Sequence, residues 1–155
     1  MTEGGKMANH QKRLETHELM DFLSRTDSLT EALGFIDDSF QQVTLAESLK
    51  ALLDRRKIPV SQLIRLTNLS KSFVYQLLNG SRSAGRDAIL QMAFALHLSL
   101  EEAQRLLTVS GNSVLYPRVK WDAAVIFCLN KKLPLVQANE LLAELSLRPL
   151  DIGGE

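Results

Sequence analysis

The residues best suited to chemistry lie between Ser70 and Gly80. Lys71, Ser72, Phe73 and Gln76 stand at the start of a short segment whose remaining positions are mostly apolar. A lysine ammonium donates to guanine O6 or N7, and a glutamine amide pairs with N6 and N7 of adenine. Such groups read a base edge only when a rigid element holds them outward. Leu63, Ile64, Leu69, Val74 and Leu77 supply inward apolar positions on both sides of a tight turn. The pattern predicts two short helices joined by that turn, the second presenting Lys71, Ser72, Phe73 and Gln76 to a major groove. Arg65 and Arg86 flank the segment and bring, by charge alone, what phosphate contact needs.

Charge supports the same chemistry. The net charge over 155 residues is zero, but its distribution is uneven. Between residues 14 and 47, Glu15, Glu18, Asp21, Asp27, Glu31, Asp37, Asp38 and Glu47 are opposed by Arg25 alone. Between residues 50 and 86, Lys50, Arg55, Arg56, Lys57, Arg65, Lys71, Arg82 and Arg86 are opposed by Asp54 alone. Phosphate responds to the local field, which a net charge averages away. An acidic segment beside a basic one also raises the expectation that residues 1–40 compete with DNA.

Other chemistries find little. There is no glycine-rich phosphate loop, no Ser–His–Asp arrangement and no credible carboxylate pair, which argues against catalysis. Asp37 and Asp38 have no third ligand nearby and read as a solvated turn. His10, His17 and His97 are scattered, so no metal and no cofactor is expected. The single cysteine, Cys128, reads as core and leaves no internal disulfide. The opening MTEGGKMANHQKR lacks the apolar stretch of a secretory signal. No apolar run approaches the roughly 20 residues of a membrane helix. A cytoplasmic protein without membrane contact is expected.

The elements that must position these residues are all helical. Residues 1–11 read as a polar tail, and Leu14, Leu19, Phe22 and Leu23 predict an amphipathic helix over 12–25. A weaker one follows within 28–40, capped by Thr30 and interrupted by Gly34. Thr44 with Glu47 is a capping box opening the next helix, with Leu45, Leu49, Leu52 and Leu53 as its stripe. Pro59 stops any continuation from Lys57, and a short helix spans 60–67. Asn68 suits a left-handed turn, Ser70 caps the following helix, and Asn79-Gly80 ends it. Further helices are predicted over 85–97, over 99–110 behind a Ser99/Glu102 capping box, over 121–130 and from Pro134 or Leu135 to Leu145. Beyond Arg148 the chain reads as frayed. The fold class is all-α, and 45% hydrophobic composition provides for a core.

Residues 44–107 resemble the lambda-repressor/Cro-like domain of xenobiotic-response-element-type regulators. The resemblance rests on Leu63-Ile64, on Leu69-Ser70 opening the second helix, on Val74 and Leu77 within it, and on Asn79-Gly80 after it. It continues through Ile89-Leu90, Met92-Ala93 and Ala95-Leu96, then Leu98-Ser99-Leu100-Glu101-Glu102. Leu115-Tyr116-Pro117-Arg118 and Leu129-Asn130 are similar to a subgroup of small regulators. The resemblance implies a five-helix helix-turn-helix domain at 44–110, an acidic N-terminal helical extension at 1–43 and a C-terminal helical hairpin at 111–155. It implies sequence-specific binding of double-stranded DNA by a transcriptional regulator, commonly a homodimer. The implied base-reading positions are Lys71, Ser72, Phe73 and Gln76, and the implied phosphate positions are Asn79 and Arg82. Two features depart from the family. Pro59 and Val60 replace a polar cap and a phosphate-gripping glutamine, and the aromatics Phe73 and Tyr75 replace small residues. They motivate the alternative of a protein-interaction adaptor that keeps the scaffold without binding DNA. Trp121 and its helix are expected either to cap the domain or to form a dimer face.

Overall fold

A computed structural model describes residues 15–31 and 43–150, and every described element is helical. The chain divides into two compact units, Met1–Gln42 and Val43–Glu155. Gly34, Asp37, Asp38 and His10 lie outside the described residues. No described helix is long and apolar enough to cross a membrane.

The first unit contains α1, Thr16–Arg25, opened by a capping box between Glu15 and Glu18. A helical turn at 29–31 is capped by Ser28, whose hydroxyl accepts the Glu31 N–H at 3.1 Å. Ser28 therefore takes the capping position expected of Thr30.

The second unit carries α2 (Leu45–Arg56), α3 (Val60–Arg65), α4 (Lys71–Leu78), α5 (Arg86–Ala95), α6 (Leu100–Val109), α7 (Lys120–Asn130) and α8 (Leu135–Glu144). Helix starts follow local chemistry. Both expected capping boxes form, Thr44 with Glu47 on α2 and Ser99 with Glu102 on α6. Each satisfies backbone donors that a helix start leaves open. Ser70 caps α4 by accepting the Phe73 N–H at 3.1 Å.

The core is organised around α5. Residues 88–95 of this helix are all buried, so it is enclosed on every side. It packs on α6 and α8, α2 packs on α4 and α6, and α7 bridges α6 and α8. Leu129, Leu142 and Leu150 belong to the same buried cluster as Leu49, Leu63 and Leu77. The C-terminal hairpin thus completes one core with the helices before it.

Helix ends use left-handed caps repeatedly. Lys57, His97, Lys132 and Ser146 all have φ between 55° and 59°. At His97 the Leu98 N–H bonds back to the Ala93 carbonyl at 3.0 Å, and fully buried Leu98 seals the turn. A Cβ in this conformation is strained, and the His97 contacts to Arg56 and Lys132 use its backbone carbonyl. His97→Gly keeps those contacts. It is expected to raise stability by about 0.5–1 kcal/mol, net of glycine's greater unfolded-state freedom. Urea unfolding midpoints check this, and an unchanged or lowered midpoint contradicts it.

Candidate nucleic-acid interface

Helix α4 is eight residues long and divides cleanly. Phe73, Val74, Leu77 and Leu78 are buried. Lys71, Ser72, Tyr75 and Asn79 are exposed, and Gln76 is half-buried. Burial of the first set fixes the rotation of the helix, and that rotation fixes what the second set presents.

The turn before α4 is held from inside. The Thr67 hydroxyl donates to the Leu63 carbonyl at 3.0 Å and accepts the Leu69 N–H at 3.3 Å. The Oε1 of Gln91, fully buried on α5, accepts the Asn68 N–H at 2.8 Å. Asn68 is not left-handed, contrary to the sequence expectation, because φ is positive at only four non-glycine described residues and Asn68 is not among them. A buried amide from a distant helix stabilises the turn instead. Gln91 interrupts the apolar run Ile89-Leu90-x-Met92, which is the signal that could have identified it.

Phe73 requires a correction. It was expected to face outward, yet only 2% of it is exposed. Residues 73 and 77 are one helical turn apart, so an inward Leu77 carries Phe73 inward with it. Tyr75 takes the outward place, 46% exposed, in line with Lys71 and Asn79 four residues to either side. Sequence reasoning noted Tyr75 as a departure without placing it on this face.

Past α4, the Asn79 Oδ1 accepts the Ser81 N–H at 2.9 Å, and Gly80 turns the chain at φ 82°. Arg82 is exposed and donates from Nη1 to the Gln76 Oε1 at 3.1 Å. Its guanidinium carbon lies 5.1 Å from the centre of the Phe73 ring. Arg65 is exposed at the end of α3.

Arg86 is the second correction. Expected to contact phosphate, it makes an internal, two-pronged ion pair with Asp122, at 3.1 Å and 2.8 Å. It also donates to the carbonyls of Ser113 at 2.9 Å and Val114 at 2.8 Å. Four donated bonds commit the guanidinium to α7 and the loop before it, which removes it from the outward basic set. Asp122 is 4% exposed and also accepts the Tyr116 N–H at 2.9 Å. Sequence reasoning missed it, although an acid following Trp121 in an apolar helix was a visible signal. Trp121 itself is occupied within the chain. Its indole N–H donates to the Arg148 carbonyl at 2.8 Å, and the Arg148 guanidinium covers its ring at 4.5 Å. Arg148 is also paired with Asp87. Of the two roles expected for Trp121, these contacts are those of a cap.

No family model, no curated protein and no solved structure matches this chain. The functional reading therefore rests on the residues themselves.

A third ion pair braces the scaffold. Arg56, at the end of α2, donates to the Glu102 Oε1 at 2.6 Å. The Ser99 backbone N–H, opposed by burial and aided by Arg56, holds the Glu102 carboxyl below its ordinary value. Burial pushes the Asp122 carboxyl up, but hydrogen bonds from Arg86 and Tyr116 outweigh it and leave a net lowering. Each folded carboxyl therefore binds protons less readily than its unfolded counterpart. The stabilisation is fully present above the ordinary values of 4.5 for Glu102 and 3.8 for Asp122. It is lost as pH falls through the lower folded values. The urea midpoint is expected to hold steady between about pH 7 and 5 and to drop steeply below about pH 4.5, with Glu102→Gln flattening the upper part of that drop. A variant profile identical to that of the parent contradicts the assignment.

Proposed function

We propose that α2 to α6 form a lambda-repressor/Cro-like domain in which α3 and α4 are the helix-turn-helix. On this reading the chain is a sequence-specific, double-stranded-DNA-binding transcriptional regulator of the cytoplasm. The observation that carries it is α4 itself. A short helix, rotationally fixed by four buried side chains, carries Lys71, Ser72, Tyr75, Gln76 and Asn79 on its other side. Lysine and glutamine are the side chains that read guanine and adenine edges in a major groove. Arg65 and Arg82 are the exposed bases nearest in sequence that remain for phosphate or for bracing. The helix order and the short link between α3 and α4 support the same reading.

The regulator is proposed to act as a homodimer on a two-fold symmetric site, since paired readers span half-sites one turn apart. Phe127 on α7 and Val136 on α8, 49% and 68% exposed, are the apolar side chains of the C-terminal hairpin that such pairing would cover.

Fluorescence anisotropy with labelled duplex DNA across a salt series tests the reading. Each phosphate neutralised by a lysine or arginine lowers affinity by about 3.5-fold between roughly 50 and 200 mM salt. Absence of duplex binding at the lowest salt overturns it. That outcome would favour a second reading, a protein-interaction adaptor on the same scaffold. Leu66 and Tyr75, 38% and 46% exposed along the α3–α4 segment, are the observation behind this alternative.

A further inference from the structure

The contacts around Arg82 lead to an inference that rests on the DNA-reading role of α4 and deepens it. Arg82 lies outside the helix, four residues beyond its end at Leu78. The family resemblance implies a phosphate contact for it. Its geometry ties it to two residues of α4 instead. The guanidinium lies 5.1 Å from the Phe73 ring centre, and Phe73 is 2% exposed, anchored in the core. A guanidinium on an aromatic face is attracted by the ring quadrupole and loses rotational freedom. From that position Nη1 donates to the Gln76 Oε1 at 3.1 Å. The chain of contacts runs from a buried ring, through a stacked cation, to the amide expected to meet a base.

We propose that Arg82 is a positioning residue that sets the base preference of Gln76 by fixing which way its amide faces. Guanidinium has donors only, so it holds the carbonyl end of the amide and rejects the NH2 end. A carbonyl oxygen has two lone pairs, and one remains available for a base. Adenine offers a donor at N6 beside an acceptor at N7, whereas guanine offers acceptors at both O6 and N7. An amide free to turn can meet adenine with both ends or guanine with its NH2. An amide held by Arg82 keeps a carbonyl with one open lone pair and an NH2 in fixed places. That order suits adenine and leaves the carbonyl facing an acceptor on guanine. Arg82 thus chooses between purines without touching either.

Two variants separate this role from phosphate contact. R82M keeps an apolar cover on Phe73 but cannot donate, and R82K keeps the charge and a donor but lacks the planar guanidinium whose seat on the Phe73 ring places that donor. Base preference is read by binding of the intact protein to a panel of duplexes, each varying one base pair of a selected site. The expected result is that R82M and R82K both lose about tenfold adenine-over-guanine discrimination at one base pair, with preferences elsewhere unchanged. A uniform loss across all sequences, with a shallower salt slope restored by R82K, would make Arg82 a phosphate contact and overturn the proposal. Unchanged discrimination in R82M also overturns it. If the parent protein selects no sequence, the DNA reading fails, and the Arg82 contact is then decided without DNA. The Gln76 side-chain amide resonances of the free protein are expected to shift in R82M, and resonances that stay in place refute the contact.

Discussion

Asp122→Ala is expected to lower the unfolding free energy by about 3 kcal/mol, among the largest effects of any single polar substitution in the chain. The substitution strands the Arg86 guanidinium at the start of α5, where its side chain is 24% exposed and Asp122 neutralises it with two bonds. The Tyr116 N–H loses its acceptor at the same time. Removing one member of a buried pair leaves an uncompensated charge, which is more damaging than losing the pair. Asp122→Asn should fall between the two, because it retains the volume and an acceptor for Tyr116. Replacing both partners together, with Arg86→Met and Asp122→Leu, should recover part of the loss. Urea unfolding followed by circular dichroism measures all of these. A change under about 0.5 kcal/mol for Asp122→Ala would mean that the pair behaves as an exposed one.

Lys71→Ala and Gln76→Ala are expected to weaken binding to a selected DNA site by about 1–3 kcal/mol each, or roughly 5- to 150-fold. Neither should change the unfolding free energy by more than about 0.5 kcal/mol, since Lys71 is exposed and Gln76 half-buried at the surface. The combination of lost affinity with intact stability distinguishes a reading residue from a packing residue. Binding isotherms and urea curves on the same preparations make that comparison. Equal binding by all three proteins would remove α4 from the contact surface.

The legible and illegible parts of the fold differ in the range over which they are determined. Thr44 with Glu47 and Ser99 with Glu102 are bonds between residues three apart, so the sequence displays both partners together. The all-α class follows from such local signals and from apolar spacing. Phe73 was misplaced because the phase of an eight-residue helix hangs on which two or three positions are taken as inward. Arg86 was misassigned because its partner Asp122 lies 36 residues away. Gln91 steadies the Asn68 turn from 23 residues away, and Arg148 covers Trp121 from 27 residues away. No local pattern announces such pairs. In the candidate interface, the polarity of Lys71, Ser72 and Gln76 was readable from their types. The exposure of Tyr75 and the engagement of Gln76 by Arg82 became visible only in three dimensions.

These distances also bear on how α4 is held. Thr67 and Gln91 fix the turn, Ser70 fixes the helix start, and Arg82 holds the middle of the exposed face. Each support lies behind or beside α4 and leaves Lys71 and Ser72 clear. A reading helix gains specificity from such supports because a displaced donor finds the wrong base edge or none.

The most direct measurement is selection of the intact protein against a pool of random duplex DNA, followed by sequencing. Enrichment of a two-fold symmetric site is expected, with affinity for it falling in Lys71→Ala and Gln76→Ala. A pool that remains unenriched after repeated rounds at low salt would contradict the DNA reading.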